Sequence, residues 1–332
     1  MTSVVETEAI SSMAFKKQKV DTEKFEEDGR IFEYSAAANP KLEPIPVAVH
    51  PPSLHESGPT RIIPFDLRKQ LGLDYQATSP NLMAAFLRIN PNESLDTKAT
   101  ATSQAFYVIR GNGSTTSEFG EITWKQGDLF VFPSTLSTIT HNSLSDTALY
   151  WVTDEPLLQY LGVTPNTQKF QPTVFRKDRL VSEVEILLQD ANAKHRNRLG
   201  ILLGNKSTEN STLTLTHTLW SLLNTLPPKT SQRPHRHNSV AIDLCVSAAV
   251  SGVYTLMGPE LTEDGWVKDP VRCEWSTGGA FVTPPGWWHS HHNETDTAAW
   301  VLPMQDAGLY TYQRTLDIRF AQGENKIADT KE

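Results

Sequence analysis

Short apolar segments separated by turn residues fill two long stretches of this 332-residue sequence, at 60–165 and 206–320. Each stretch has a strand pattern that runs into a glycine turn, then a Gly-Asp or Gly-Gly turn, and then an apolar strand that ends at proline. A tryptophan-containing strand follows in each, around Trp151 and Trp300. Many short strands at regular spacing are typical of a β-sandwich or barrel. We interpret the shared layout as duplication of one barrel, with a period of roughly 150 residues.

The segments outside these stretches differ from them in composition and periodicity. The first 55 residues are polar and become rich in proline, which resists both helices and central strands. Between the two stretches, Leu180, Val184 and Leu188 recur at helical spacing, and Asp178 is placed to cap the start of this helix. The predicted organisation is a flexible arm at 1–55, a first barrel at 56–165, a helical linker at 166–205, a second barrel at 206–320 and a tail at 321–332.

Charge and hydropathy limit the kind of partner that the chain can have. The formal net charge of −8 argues against a nucleic-acid binder, whose phosphate contacts need a basic surface. No window approaches the roughly 20 apolar residues that span a bilayer, and the first residues lack the apolar run of a secretory signal. Two cysteines imply no disulfide framework. We therefore expect a cytoplasmic protein with no nucleic-acid or membrane partner.

Five of the ten histidines fall in two short windows of the second stretch. The window RPHRHNS contains His235 and His237, and the window PPGWWHSHHNET contains His289, His291 and His292. Residues i and i+2 of a strand point to the same face, so His235 and His237 can enter one barrel interior together. His289 follows a tight Pro-Gly turn and can supply a third imidazole. Three neutral imidazoles leave coordination positions open, as in catalytic metal sites.

The same windows resemble the two sequence motifs of the cupin family. His235 and His237 match the His-x-His start of the first motif, whereas its acidic position falls at Ala241 or Ile242. The second motif is matched at every position, by Gly278, Pro284, Gly286, His289 and Asn293. A cupin with three histidines and no glutamate resembles the gentisate dioxygenase group, and the resemblance extends over about 60–320.

This resemblance implies an all-β fold, a bicupin of two double-stranded β-helix (jelly-roll) barrels with an extended arm and a helical linker. It also implies an Fe(II)-dependent enzyme that uses O2 to cleave the ring of a hydroxylated aromatic acid such as gentisate, while related members take salicylate or hydroxynaphthoate. The expected partners are therefore a small aromatic or other carboxylic acid and O2. We further expect a homo-oligomer, a dimer or a tetramer.

Two other functions remain open for a three-histidine site. A non-redox lyase, isomerase or hydrolase can use Zn, Mn or Ni in place of iron, because three histidines and a water also suit zinc. A binding or structural bicupin with an idle metal is the third possibility, although three filled ligand positions argue against it.

The same template leaves the first stretch without metal ligands. The two histidine positions of the first motif fall on Lys98 and Thr100, and the third ligand position falls on Thr138. Gln104 takes the acidic position, and we interpret the nearby His141 as a polar residue at a strand end. The first barrel is therefore predicted to be structural.

Other residues of the second stretch are candidates for the pocket. Arg233 shares the strand parity of the two motif histidines and can clamp a substrate carboxylate, unless it lies at a solvent-exposed rim. Asp243 also has this parity and is a catalytic candidate as a proton acceptor, although a strand-end position in solvent is equally possible. A carboxylate at this place would repel an anionic acid, so Asp243 departs from the family pattern.

His291 and several aromatic side chains complete the predicted site. His291 shares the parity of His289, and a free histidine pKa of about 6.5 suits proton transfer at neutral pH, so we assign it a catalytic role. Trp288 and Trp300 are predicted to bind substrate as pocket walls, with ordinary barrel core as the alternative. Gln305 is a further substrate-binding candidate. Trp287, like Trp288, is a candidate for the pocket wall. Weaker pocket candidates are Gln232, Tyr254 and Asp306, while His292 is expected to point outward and 258–274 to cover the barrel mouth.

Overall fold

The structure is a computed structural model that describes residues 24–327. The predictions for residues 1–23 of the arm and 328–332 of the tail therefore lie outside the described residues. The chain divides into a small unit that ends at Leu42 and a large unit that begins at Glu43. The described part of the small unit has two short helices, α1 (Lys24–Glu27) and α2 (Tyr34–Ala37). Glu33 caps α2, because its carboxylate accepts hydrogen bonds from the N–H groups of Ser35 and Ala36.

The large unit is built mainly from strands. Its described strands are β1 (Val49–His50), β2 (Arg61–Pro64), β3 (Met83–Ile89), β4 (Ser94–Thr97), β5 (Ser103–Arg110), β6 (Asn112–Ser117), β7 (Gly120–Lys125), β8 (Leu129–Pro133), β9 (Ile139–Ser143), β10 (Thr147–Thr153), β11 (Thr173–Phe175), β12 (Leu199–Leu203), β13 (Trp220–Leu226), β14 (Thr230–Ser231), β15 (His235–His237), β16 (Ala241–Ser247), β17 (Val253–Gly258), β18 (Val271–Glu274), β19 (Ala280–Thr283), β20 (Trp288–Asn293), β21 (Ala299–Gln305), β22 (Ile318–Phe320) and β23 (Lys326–Ile327). Its helices are α3 (Ser53–Glu56), α4 (Arg68–Leu71), α5 (Glu155–Leu161), α6 (Lys177–Leu188), α7 (Ala307–Gln313) and a 3₁₀ turn at Ala193–His195. None of the helices in residues 24–327 is both long and apolar enough to cross a membrane.

The strands form four sheets, two for each barrel. In the first barrel, the sheet β11-β8-β5-β10-β3-β2 packs on the sheet β4-β9-β6-β7. In the second barrel, the sheet β1-β19-β16-β21-β13-β12 packs on β18-β17-β20-β14-β23, in which β15 joins β20 to β22. The all-β class and the two barrels predicted from the sequence are confirmed, while the boundaries at 56–165 and 206–320 stay a proposal.

Strand alternation divides the apolar side chains between each barrel interior and a core that the two barrels share. On β16, Ile242 and Leu244 belong to the shared core, whereas Cys245 faces the interior of the second barrel. Tyr150 of the first barrel crosses the shared core and donates a hydrogen bond to the carbonyl oxygen of Ile242 at 3.0 Å. Sheets covered on both faces have strands that are nearly continuously apolar, which explains the apolar runs of β10 and β16.

A buried aspartate follows the corresponding strand of each barrel, and the second of these aspartates also bonds to the first barrel. Asp154 follows β10 and accepts hydrogen bonds from the N–H groups of Thr102 and Ser103 at 2.8 and 3.1 Å. Asp306 follows β21 and accepts one from the N–H of Val240 at 3.0 Å. The amide of Asn81, in the first barrel, donates to the other oxygen of Asp306 at 2.7 Å. This repeated device supports the duplication inferred from the sequence.

The start of the linker helix α6 is held by a contact other than the predicted one. The prediction that Asp178 caps this helix is wrong. Asp178 does not cap the helix but pairs with Lys125, with Nζ and Oδ2 at 2.9 Å. The N–H of Lys177 instead donates to Asp128 at 2.9 Å. Asp128 lies 49 positions earlier in the chain, so local helix signals could not indicate it.

In the first barrel, the positions that correspond to the ligand histidines lie one residue away from those predicted. β4 pairs with β9 so that Thr97 lies opposite Ile139, just as His235 lies opposite His289 in the second barrel. Thr97 and Ile139 are buried, whereas Lys98 and Thr138 are exposed. Because side chains alternate along a strand, the inward positions are Thr97, Ala99 and Ile139. The prediction placed the third position at Thr138 because it assumed a fixed motif spacing, whereas the loop before β9 is one residue longer.

Candidate metal centre

Three histidines from two paired strands converge in the second barrel. His235 on β15 lies directly opposite His289 on β20, with ring centroids 4.0 Å apart. The ring of His237 lies 4.9 Å from that of His289. One ring nitrogen of each histidine lies within 4.8 Å of the other two, and His237 and His289 are buried. This arrangement can hold a metal ion.

Backbone carbonyl groups orient two of these rings. Nδ1 of His237 lies 2.9 Å from the carbonyl oxygen of Ser239, and Nδ1 of His289 lies 3.1 Å from that of Trp287. A carbonyl oxygen only accepts, so Nδ1 carries the proton and Nε2 keeps its lone pair for a metal. Burial lowers the pKa of His237 to about 4 and that of His289 well below its usual value. Both rings are therefore neutral at neutral pH, which is the state that binds metals.

The third ring has a charged neighbour that sequence reasoning missed. Arg198, which precedes β12, donates a hydrogen bond from its guanidinium to Nδ1 of His235 and another to the carbonyl oxygen of Arg233 at 3.1 Å. Its Nε is buried and has no partner among the described residues. Burial lowers the pKa of Arg198 to about 9, so the guanidinium remains charged at neutral pH. Arg198 lies 37 positions before His235, and no sequence motif links the two.

His291 faces the same interior as the three histidines. Its ring centroid lies 5.9 Å from His289 and 6.4 Å from His235. Nδ1 of His291 lies 2.8 Å from Oγ1 of Thr255, which accepts a hydrogen bond from the indole of Trp275 at 2.8 Å. Because the hydroxyl of Thr255 accepts from the indole, it can donate to Nδ1, so that Nε2 of the neutral His291 ring carries the proton and can donate it. Burial, followed by the charge of Arg198, lowers the pKa of His291 well below its usual value.

Asp243 brings a carboxyl group into this interior from the opposite sheet. It lies two residues before the inward-facing Cys245 on β16 and so shares its face, and it is buried in the middle of the strand, which excludes the solvent-exposed alternative. Its Oδ2 accepts a hydrogen bond from Oγ1 of Thr283 at 2.6 Å. Burial raises the pKa of Asp243 to about 7, against the opposite effects of Thr283 and of the Arg198 charge.

Gln305 contacts the support of a ligand histidine. Its Oε1 accepts a hydrogen bond from Oγ of Ser239 at 2.8 Å. The same Oγ lies 3.1 Å from Nδ1 of His237. Gln305 therefore stabilises the loop that holds His237, and Asp306 beside it binds Val240 and Asn81 as described above.

Arg233 lies away from the three histidines. Its guanidinium donates to the carbonyl oxygens of Asp264 at 2.8 Å and Glu324 at 3.2 Å, and it stacks over Trp266 at 4.8 Å. The sequence predicted that Arg233 points inward because it has the strand parity of His235 and His237. That prediction fails because Arg233 and Pro234 lie in the break between β14 and β15, and parity does not carry across a break in the strand. Arg233 instead ties the loop 259–270 to the C-terminal segment.

The two predicted tryptophan walls also face other surroundings. Trp300 alternates on β21 with Ala299 and Val301, which face the barrel interior, and it packs against the core shared by the barrels. Trp288 precedes the inward-facing His289 and lies against the guanidinium of Arg236 at 5.0 Å. Neither indole faces the three histidines, because each has the opposite strand parity.

The remaining candidates divide between the two faces of the same sheet. Tyr254 and His292 stack on the outer face with ring centroids 4.9 Å apart, and Nδ1 of His292 lies 2.9 Å from Oγ of Ser231. Trp287 packs against the apolar interior cluster. Asn224, which the sequence did not single out, lies two residues before the interior Leu226 on β13 and faces the same interior. Its Oδ1 has no partner among the described residues.

Comparison with known proteins adds the architecture to which this site belongs. No family model matches the chain. The salicylate 1,2-dioxygenase of Pseudaminobacter salicylatoxidans has a similar structure, with a TM-score of 0.68 and 17% identity over 90% of this chain and 96% of that one. The same enzyme as an adduct with gentisate gives a TM-score of 0.67 and 16% identity over 92% and 96% of the two chains. The chain has the bicupin fold.

A sequence relative of this bicupin is a 5-aminosalicylate 1,2-dioxygenase from Comamonas sp.. The two are 33% identical over 86 residues, which are 26% of this chain and 23% of that protein. The bicupin therefore matches about a quarter of the length of this curated relative. Within residues 24–327, it presents one group of three metal-ligating side chains, and that group lies in the second barrel.

Proposed function

We propose that this bicupin is an Fe(II)-dependent dioxygenase that cleaves the ring of a hydroxylated aromatic acid of the gentisate type. The observation that carries the proposal is the convergence of three neutral histidines and a buried guanidinium, Arg198, in one barrel interior. The similar proteins named as salicylate and 5-aminosalicylate 1,2-dioxygenases support the same reaction class.

The metal ligands in this proposal are His235, His237 and His289. The ligand nitrogens cluster within 4.8 Å, and His237 and His289 already direct their Nδ1 protons to backbone carbonyls, which suits a divalent ion. His235 would offer Nε2 to the ion once Arg198 releases its Nδ1, because only then can the proton of this neutral ring move to Nδ1. Imidazole suits iron as well as Zn and Ni. When bound, Fe(II) supplies open coordination positions for the substrate and O2 and the electrons that activate O2.

The charges around the site favour an anionic substrate. Three neutral histidines compensate none of the charge of a divalent ion, and Arg198 adds one positive charge. Asp243 contributes at most one negative charge, so the net charge of the loaded site remains positive. Two unit charges about 4 Å apart interact by roughly 4 kcal/mol at an effective dielectric constant of about 20. A carboxylate therefore binds favourably here, and we propose that Arg198, in place of the predicted Arg233, receives it through its unpartnered Nε.

His291 and Asp243 are proposed to hold and move protons. His291 is neutral because burial lowers its pKa, and its Nε2–H can donate a hydrogen bond or a proton to a substrate oxygen while Thr255 holds Nδ1. With a pKa of about 7, Asp243 can accept or release a proton near neutral pH. The apolar cluster below the histidines excludes water from the reacting groups.

Oxygen uptake tests the proposal. Protein loaded anaerobically with Fe(II) is mixed with gentisate, salicylate or 5-aminosalicylate, and O2 consumption is followed with an electrode together with the ultraviolet spectrum of the ring. We expect equimolar O2 uptake and loss of the aromatic absorbance with at least one acid. His237→Ala abolishes both signals, whereas the control His195→Ala, at an exposed position, retains them. No uptake with any of the three acids would overturn the proposal.

The metal is tested by loading the same protein with Fe(II), Mn, Ni or Zn. We expect turnover only with Fe(II) and only when O2 is present. Turnover under strict anaerobiosis with any of these ions would instead support a non-redox reaction at the same three histidines.

We also propose that the protein is a cytoplasmic homo-oligomer. Both cysteines, Cys245 and Cys273, are buried free thiols, which suits a reducing compartment. Exposed apolar side chains gather beside β12 and α6, at Ile186, Leu202 and Leu213, and such patches mark interfaces. Light scattering after size exclusion is expected to give a dimer or a tetramer, and the 37.0 kDa mass of one chain would contradict the oligomer.

A further inference from the structure

Gln232 carries an amide group into the second barrel, where no described residue binds it. Its side chain is 1% exposed, and neither Oε1 nor Nε2 forms a hydrogen bond with any described residue. Buried polar groups in folded proteins are nearly always paired, because an unpaired one loses its hydration without replacement. This amide therefore has hydrogen-bonding capacity to offer a polar ligand.

The strand register places the amide beside His291. Ser231 lies opposite His292 in the pairing of β14 with β20, and the N–H of Gln232 donates to the carbonyl oxygen of His291 at 2.9 Å. The register thus continues by one residue, and opposed residues share a face of the sheet. Ser231 bonds to His292 on the outer face, so Gln232 and His291 both face the interior.

The interior next to His291 is the space that the proposed substrate occupies. The ring of His291 lies 5.9 Å from that of the ligand His289. Arg198 also has a buried donor without a partner among the described residues, and it is already proposed to bind the carboxylate. Gln232 is uncharged and offers two donors and an acceptor. Its amide therefore matches a neutral group that both donates and accepts, such as a ring hydroxyl or a ring amine.

We propose that Gln232 determines substrate specificity by binding a second polar ring substituent, a hydroxyl or an amino group beyond the hydroxyl of a salicylate. This inference rests on the proposed function, which it deepens by assigning one residue to one part of the substrate. The favoured substrates are then aromatic acids of the gentisate or aminosalicylate type over salicylate itself.

Binding measured without O2 tests the assignment. Calorimetric titration of the Fe(II)-loaded protein under anaerobic conditions gives the dissociation constants of gentisate, 5-aminosalicylate and salicylate. Gln232→Met keeps the length of the side chain and removes both polar functions. We expect its dissociation constants for gentisate and 5-aminosalicylate to rise about tenfold, as the loss of a buried hydrogen bond predicts, while that for salicylate is unchanged. The exposed control Gln70→Met should bind all three acids as the wild type does.

Thermal stability separates a ligand-binding amide from a structural one. Because the amide has no partner within residues 24–327, Gln232→Met is expected to leave the Tm of the ligand-free protein unchanged or to raise it. A lower Tm, or an equal change in affinity for all three acids, would overturn the assignment to Gln232 and leave the proposed function intact. If the wild type binds none of the acids, both the inference and the proposed function are wrong.

Discussion

Asp243 and Arg198 carry opposite charges into the interior of the second barrel. Burial raises the pKa of the carboxyl to about 7 and lowers that of the guanidinium to about 9, and the charge of each partly opposes the effect of burial on the other. A buried acid that titrates near neutral pH is expensive to ionise and is common at functional sites. Asp243, which departs from the cupin pattern, is thus the pocket carboxyl whose pKa burial raises most.

We expect Asp243→Asn to stabilise the metal-free protein above neutral pH. Between about pH 4 and pH 7, the folded protein retains the proton of Asp243 that the unfolded chain has released, so wild-type stability falls as the pH rises. The amide that replaces this carboxyl in the variant cannot ionise. The Tm of the variant minus that of the wild type should therefore grow from about pH 5 to about pH 8, whereas the exposed control Asp74→Asn should show no such trend. A pH-independent difference would contradict the pKa of Asp243.

At the scale of elements, the strand that carries two metal ligands is short and depends on the C-terminal segment. β15 has three residues, and its register with β20 consists of His235 opposite His289. Its other edge pairs with β22, which stacks Phe320 on His235 at 5.8 Å between centroids. β23 pairs with β14, and Asn325 accepts a hydrogen bond from the N–H of Arg233 at 2.7 Å. Residues 318–327 therefore complete the sheet at the metal ligands.

A chain that ends at Asp317 is expected to bind metal at least about tenfold more weakly than the full chain, because β15 loses the partner that orders one of its edges. The change should be seen in competition titrations with a zinc chelator. A chain that ends at Ile327 keeps β22 and β23 and serves as the control. Equal affinity in the two truncated chains would show that the C-terminal segment does not order the ligands.

At the scale of the whole molecule, both barrels contain a hydrogen-bonded chain of a tryptophan, a threonine and a histidine. The histidine has a different role in each barrel. In the first barrel, the indole of Trp124 donates to Thr115 at 2.9 Å, and Thr115 lies 2.8 Å from Nδ1 of His141, as the corresponding groups do at His291. Nε2 of His141 is closed off by Oγ1 of Thr97 at 3.0 Å. His141 is therefore a buried structural residue, not the polar strand-end residue that the sequence suggested.

Acid sensitivity follows from this burial. The pKa of His141 is lowered to about 3 by burial, so the unfolded chain binds a proton below about pH 6.5 that the folded protein does not bind, and stability is lost as the pH falls. His141→Gln should remove about 2 kcal/mol of the loss between about pH 6.5 and pH 5. Urea unfolding of metal-free protein at the two pH values measures this loss. The exposed His195→Gln is the control, and an equal loss in wild type and His141→Gln would refute the argument.

The sequence by itself determined the features that depend on spacing along one strand or one turn. His235 and His237 share a face because they are two residues apart, and the Pro-x-Gly turn before His289 places a third ring at the same end of the barrel. The repeated strand pattern was enough to predict two barrels. These features were accessible because covalent spacing and pleat alternation hold whatever the rest of the chain does.

Only the tertiary structure decided which other side chains meet those histidines. Arg198 reaches His235 across 37 positions and Asn81 reaches Asp306 across 225, and neither contact has a sequence signal. Arg233 shares the parity of the ligands but turns away where the strand is interrupted before β15. The physical reason is that parity applies only within an unbroken strand, whereas register, loop length and packing between distant strands determine which charges share an interior.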